Sequence, residues 1–318
     1  MIGRHKHCIA LSQYSREEIL QVLDLAVTMK EVLRRPIKKV PSLRGKSIIN
    51  LFFEASTRTR SSFETAAKIL SADALNWTSS SSSVTKGETL VDTVRNLEAM
   101  RPDVIVIRHQ SGGAPQLVAE SVGCAVVSAG DGAHEHPSQG LLDAFTLRER
   151  FGSLEGKVVT IVGDVSHSRV ARSAVHCLPK LGAKVRFCGP PTMMPAGVEK
   201  LGATVTYDLK DAVDGADAVM MLRIQHERIG DPLIPNTREY SRYWGLNARK
   251  AADWLKPSCV ILHPGPINRG VELSPDVADG GRSVILEQVQ NGVAVRMAIL
   301  FLLAGGTSGE GVGVEGKA

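Results

Sequence analysis

Nine short apolar runs rich in β-forming residues recur along the chain, at 47–53, 74–77, 104–108, 125–128, 158–163, 184–188, 204–207, 217–222 and 259–263. Most of the intervening segments carry apolar residues at helical spacing, near 57–70, 89–100, 115–122, 138–150, 168–182, 209–214 and 247–255, and a last such segment spans 284–304. This alternation constrains the fold more than any other feature. Strands joined by crossover helices pair in parallel, and a parallel sheet needs helices on both faces. The pattern predicts an α/β fold of parallel sheets flanked by helices. Ser15-Arg-Glu-Glu18 is a capping box that opens a further helix, carried by Ile19, Leu20, Val22, Leu23, Leu25 and Ala26 to about Leu33.

Phe151-Gly-Ser-Leu-Glu-Gly156 divides the strands into two sets of four or five, each enough for its own sheet. We expect a first domain over 1–151, a second over 152–284, and a helix at about 285–304 that packs back on the first. The tail 305–318, GGTSGEGVGVEGKA, is expected to be disordered. It holds Gly311-x-x-x-x-Gly316-Lys317 and Gly311-x-Gly313-x-x-Gly316, which imitate two nucleotide-binding motifs. Both motifs work only between a strand and a helix, so no nucleotide cofactor is expected here.

Of the 318 residues 43% are hydrophobic and 22% charged, a soluble globular composition. The longest apolar segment, Val293 to Leu303, is short and interrupted by Arg296, so it is expected as a buried helix rather than a membrane contact. MIGRHKHCIAL has no signal-peptide pattern. Five scattered cysteines (Cys8, Cys124, Cys177, Cys188, Cys259) argue against zinc or disulfides and for a reducing cytoplasm. No metal is expected. The formal charge of +5 is modest and aromatics make up 4%, which disfavours nucleic acid; RRPIKK (Arg34 to Lys39) is the only dense basic run. A small anionic substrate suits the surplus.

FEASTRTRSSFE, residues 53–64, places three hydroxyls and two guanidinium groups within five residues where a strand gives way to a helix. A helix N-terminus offers unpaired N–H groups and the positive end of a dipole. An N-cap needs one hydroxyl; this cluster predicts an oxyanion site, with phosphate the best match. Further polar clusters also follow predicted strands: Arg108-His109, His136-Pro-Ser-Gln139, Asp164 to Arg169, Arg223-Ile-Gln225 and His263-Pro-Gly-Pro-Ile-Asn-Arg269. Singly, each could be a turn residue or a surface ion pair. Ligands of α/β folds sit at the carboxyl ends of strands, where all of these clusters lie.

Ser56-Thr-Arg-Thr-Arg60, His136-Pro-Ser-Gln139 and His263-Pro-Gly-Pro-Ile-Asn-Arg269, in this order and spacing, resemble the transcarbamoylase family. Lys86-Gly-Glu-Thr, Arg223-Ile-Gln225 and Asn268-Arg-Gly-Val-Glu272 resemble its aspartate-using branch, and the likeness covers about residues 7–304. It implies a transcarbamoylase fold and transfer of the carbamoyl group of carbamoyl phosphate to the amine of L-aspartate, which gives N-carbamoyl-L-aspartate and phosphate in pyrimidine synthesis. Ser56, Thr57, Arg58, Thr59 and Arg108 match the phosphate cradle, and Arg58, Thr59 and His136 the groups on the carbonyl oxygen. Gln139 and the carbonyls of Pro264 and Gly265 match those receiving the carbamoyl NH2; Arg169, Arg223 and Gln225 match the aspartate set. SSSSSVTKGET (Ser79 to Thr89) reads by composition as a flexible linker. In the family this loop enters the neighbouring subunit's site, which implies a homotrimer with shared sites; Lys86 matches its lysine, and Ser82, by counting back, its serine.

Ala55 stands where the family usually has Pro, and Ser138 where Thr is common; neither side chain has an assigned chemical role. His176-Cys-Leu-Pro179 spells an ornithine-transcarbamoylase signature inside a predicted helix, so we read His176 and Cys177 as core or surface helix residues. An ornithine or other transcarbamoylase is the alternative enzyme, and a silent scaffold homologue the alternative of another class. Regulatory or dihydroorotase chains are possible partners.

Overall fold

The computed structural model describes residues 1–78, 87–224 and 233–305. In the first half the elements run α1 (Arg16–Arg34), β1 (Ser47–Phe52), α2 (Thr57–Ile69), β2 (Asp73–Thr78), α3 (Leu90–Glu98), β3 (Val104–His109), α4 (Ala114–Ser121), β4 (Ala125–Asp131) and α5 (Pro137–Phe151). The second half continues with β5 (Val158–Val162), α6 (Arg169–Cys177), β6 (Lys184–Cys188), β7 (Thr204–Thr206), α7 (Leu209–Val213), β8 (Ala218–Met221), α8 (Thr237–Tyr243), α9 (Ala248–Trp254), β9 (Val260–Leu262) and α10 (Pro275–Ala278). A final helix, α11 (Ile285–Leu303), follows.

Each half is a parallel sheet. The first has the order β2-β1-β3-β4 and the second β7-β6-β5-β8-β9, with every pairing parallel. The central strands β1 and β3 are covered on both faces: Ile48 through Phe52, including the polar Asn50, and the apolar run Val104 through Ile107 are all buried. The capping box forms as read, with Ser15 Oγ accepting from the Glu18 N–H and Glu18 Oε2 accepting from the Ser15 N–H.

The two strand orders dictate where a ligand can sit. The chain leaves β1 for β2 on one side and returns to β3 on the other; it leaves β5 for β6 and β7 and returns to β8. Each reversal opens a crevice at the carboxyl ends of the strands on either side of it. The first crevice lies between β1 and β3, where Phe52 pairs with Arg108, so the Ser56 cluster and Arg108 flank it. The second, between β5 and β8, is flanked by the segments that carry Arg169 and Arg223.

Helix α11 leaves the second sheet and packs against α1, α2 and α5 of the first half. By length and apolarity it could cross a membrane, yet Ala294, Val295 and Met297 to Leu300 are fully buried among helices. Its polar residues tie it to α5: Asn291 Nδ2 donates to Thr146 Oγ1 at 2.9 Å and to Glu149 Oε2 at 2.7 Å.

Three local readings change. The segment expected as one helix over 168–182 is an α-helix only to Cys177, followed by a 3-10 turn at Pro179–Leu181. Pro179 has no N–H to continue the ladder. Helices α8 and α10 were not anticipated; they span seven and four residues, too short for a periodic signal.

Candidate active site

A cavity of about 440 Å³ lies between the halves at the two crevices. Ser56, Thr57, Arg58, Thr59, Arg108, His136 and Gln139 line it from the first half, and Arg169, Arg223, Pro264 and Gly265 from the second. The predicted residues Ser82, Lys86 and Gln225 lie outside the described residues. Five arginines (Arg58, Arg108, Arg169, Arg223, Arg296) and no acidic side chain appear among the described lining residues. Such a surface suits a ligand set with several negative charges.

Ser56 holds the N-cap position of α2 in extended backbone, but its hydroxyl caps none of the helix's N–H groups. The cap function is left open, and the first turn retains donors for an anion. Arg58, one residue into that helix, reaches across to the second half. A methyl group built on Gly265 would fall 2.8 Å from its Cζ and Nη1. Burial, and then the charge of Arg223, lower the Arg58 pKa.

Arg169 makes the reverse crossing. From the start of α6 it approaches Gly130 so closely that a methyl there would lie 2.9 Å from Nη1, and Gly130 has φ of +127°. Only glycine meets both demands without strain. Arg169 Nη2 also donates to Glu54 Oε2 at 2.7 Å, and Arg108 Nε donates to the same oxygen at 3.0 Å. A single carboxylate thus joins a strand-end cation of one half to a helix-start cation of the other.

His136 occupies the N-cap position of α5 and is 4% exposed. Its backbone N–H donates to Ser173 Oγ at 2.8 Å, which pins the start of α5 to α6. Burial, reinforced by Arg108, Arg169 and Arg296, holds its pKa well below 6.5. At neutral pH the ring is uncharged and serves as a hydrogen-bonding group.

The opposite wall has no free backbone donor over three residues. Pro264 and Pro266 have no N–H, and the Gly265 N–H donates to His263 Nδ1 at 2.8 Å. Because Nδ1 accepts, the remaining ring proton is on Nε2, which faces Glu272 Oε1 at 3.2 Å. Carbonyl oxygens are the remaining backbone hydrogen-bonding groups of residues 264–266.

Among the residues at or beside the cleft, Glu54 and Arg296 have no role in the sequence reading. Glu54 lies within the cluster expected to bind an oxyanion, and the sequence assigns it no role. Arg296 was counted as an interruption in an apolar run, but it is 5% exposed, lines the cavity and stacks 5.1 Å from the Phe63 ring centroid. Burial lowers its pKa to about 10. The available signal was a charge inside an apolar helix, because buried charges need a counter-charge or a function. Cys177 is buried in the core and His176 half-buried on α6, away from the lining. No group of three His, Cys, Asp or Glu among the described residues could hold a metal ion.

Two parallel-sheet halves that meet at an arginine-lined cleft, with an open helix N-terminus on one wall, define an α/β protein with a site suited to anionic ligands. The chain belongs to the aspartate/ornithine carbamoyltransferase family: residues 6–149 match its carbamoyl-P binding domain and residues 155–303 its Asp/Orn binding domain. It is 85% identical to the aspartate carbamoyltransferase catalytic subunit of Anaeromyxobacter dehalogenans (strain 2CP-C), over 98% of this chain and 99% of the relative. The corresponding subunit of Geobacter sulfurreducens is 60% identical over 95% of this chain and 97% of its own length. Among solved structures, aspartate transcarbamoylase from Trypanosoma cruzi in complex with carbamoyl phosphate and aspartate superposes with a TM-score of 0.83 at 29% identity, covering 93% of this chain and 95% of that one. Ornithine carbamoyltransferase from Thermus thermophilus also gives 0.83, at 28% identity, covering 94% and 99%.

Proposed function

We propose that this chain transfers the carbamoyl group of carbamoyl phosphate to the amine of L-aspartate, giving N-carbamoyl-L-aspartate and phosphate for pyrimidine biosynthesis. The observation that carries the reading is the cavity wall of five arginines without an acidic residue among the described lining. Phosphate and two aspartate carboxylates call for that charge, whereas the ammonium side chain of ornithine calls for an acid. The 85% identical relative carries the aspartate enzyme's name.

The first half, residues 1–151 with α11, would hold carbamoyl phosphate, and residues 152–284 would hold aspartate. Ser56, Thr57, Arg58, Thr59 and Arg108 take the phosphate at the start of α2. Arg58, Thr59 and His136 donate to the carbonyl oxygen, and each donor contributes roughly 3 kcal/mol as that oxygen gains charge. Gln139 and the carbonyls of Pro264 and Gly265 accept from the carbamoyl NH2. Arg169, Arg223 and Gln225 hold the aspartate carboxylates, with Ser82 and Lys86 completing a neighbouring subunit's site in a homotrimer. No cofactor takes part.

The unprotonated amine attacks the carbonyl carbon, forming a C–N bond while the π pair moves to oxygen. Collapse breaks the bond to the phosphate oxygen, and the leaving phosphate accepts the amine proton. His136 is an uncharged donor to the carbonyl in this scheme, so its basic nitrogen is not required. Alignment of amine and carbonyl by the two halves supplies on the order of 7 kcal/mol.

The test is product analysis on one purified sample, with light scattering for its size. Carbamoyl phosphate with L-aspartate should yield N-carbamoyl-L-aspartate from a trimer. Citrulline from L-ornithine would replace the reading with the ornithine enzyme. No product, even with partner chains supplied, would favour the scaffold.

A further inference from the structure

Behind the cavity wall lies a carboxyl group that the scheme above does not use. Asp143 is fully buried on α5, one turn after Gln139. Its Oδ1 accepts from Gln139 Nε2 at 3.0 Å and from Gln288 Nε2, on the first turns of α11, at 2.7 Å. Its Oδ2 has no hydrogen-bond partner among the described residues. Burial raises the Asp143 pKa to about 7. A proton, when present, has its place on the partnerless Oδ2, so Oδ1 accepts in either state.

An oxygen that only accepts forces both glutamine amides to present their NH2 groups to it. Each carbonyl is then committed to the far side of its amide. For Gln288 the far side is visible: its Oε1 accepts from the His263 N–H at 3.0 Å. For Gln139 the far side is the cavity it lines. His263 in turn takes the Gly265 N–H through Nδ1. One carboxylate therefore stands behind both walls that offer acceptors.

We propose that Asp143 is a positioning residue that locks the Gln139 amide with its carbonyl toward the substrate, so that the site selects an acyl phosphate bearing an NH2 donor over one bearing a methyl group. The proposal rests on the carbamoyl-transfer reading above. Without the lock, the Gln139 amide can rotate and present a donor, which repels an NH2 and gains nothing from a methyl.

Acetyl phosphate is the probe, since a methyl replaces the NH2. Its inhibition constant and the KM for carbamoyl phosphate are measured for wild type, Asp143→Asn and Asp143→Leu, with inorganic phosphate binding as a check on the folded site. Asp143→Asn keeps an acceptor oxygen and should retain wild-type discrimination. Asp143→Leu should raise the carbamoyl phosphate KM about tenfold while acetyl phosphate and phosphate bind as before. If the leucine variant does not fold, Asp143→Ala carries the same expectation. Parallel weakening of all three ligands, or an unchanged ratio, overturns the proposal. A wild-type protein that forms no N-carbamoyl-L-aspartate defeats the underlying reading instead.

Discussion

The Arg58 guanidinium rests on the backbone of Gly265, 2.8 Å from where a β-carbon would be, so the arginine proposed to hold phosphate is seated on the second half's segment proposed to accept from the carbamoyl NH2. Gly265 also has φ of +67°, a region that costs a residue with a β-carbon roughly 1–2 kcal/mol. Gly265→Ala should lower turnover at least about tenfold by displacing Arg58. Gly270→Ala is the control: it has φ of +83° but nothing within 4 Å of the added methyl. It should cost similar stability in a thermal melt and leave the rate near wild type. Equal losses of activity in both variants would mean that strain, not the Arg58 contact, is responsible.

Removing the arginine itself is the stronger test of its role. Arg58→Ala should cut turnover at least about a hundredfold with the circular dichroism spectrum unchanged. If neighbouring subunits share sites, mixing this chain with an inactive Lys86→Ala chain should restore part of the activity. Exchange of subunits without rescue would count against sharing.

Glu54 accepts from Arg108 and Arg169 through one oxygen. Glu54→Gln preserves shape but removes the charge that holds two cations of different halves together. Steady-state kinetics should show kcat/KM for aspartate reduced by at least about tenfold, since small displacements of positioning groups have costs of that order. An unchanged value would assign the bridge no part in the reaction.

The suppressed pKa of His136 has a signed consequence for stability. In the unfolded chain the ring takes a proton near pH 6.5, while in the folded protein it does so only at much lower pH. In that window the unfolded chain binds more protons, so stability falls on acidification, by up to about 1.4 kcal/mol per pH unit. Urea titrations at about pH 7.5 and about pH 5.5 should show a larger loss for wild type than for His136→Asn. Asp143, raised to about 7, has the opposite pH trend in both proteins and cancels in the comparison. Parallel losses would contradict an uncharged buried ring.

What the sequence made legible follows from the physics of parallel sheets. Val104 to Ile107 is an uninterrupted apolar run and Ile48 to Phe52 is broken only by the buried Asn50, because helices cover both faces, and such runs stand out without knowledge of their partners. The residues just after them are then site candidates by topology alone. Glu54, Asp143 and Arg296 were not legible in this way. Glu54 meets Arg169 across 115 positions and Asp143 meets Gln288 across 145, and neither separation leaves a local pattern. Arg296 did leave a trace, a charge inside α11, but only the packed structure turns it from an interruption into a cavity wall.

The return of α11 to the first half also bears on the order of events during synthesis. The chain passes into the second half after α5 and comes back only at Ile285, where α11 covers α1, α2 and α5. The part translated first therefore cannot seal its hydrophobic interior until the part translated later has been made in full. The amino-terminal half waits, with its α11-binding surface exposed, for the last helix to emerge, and that interval is when the nascent chain has most need of protection from its neighbours.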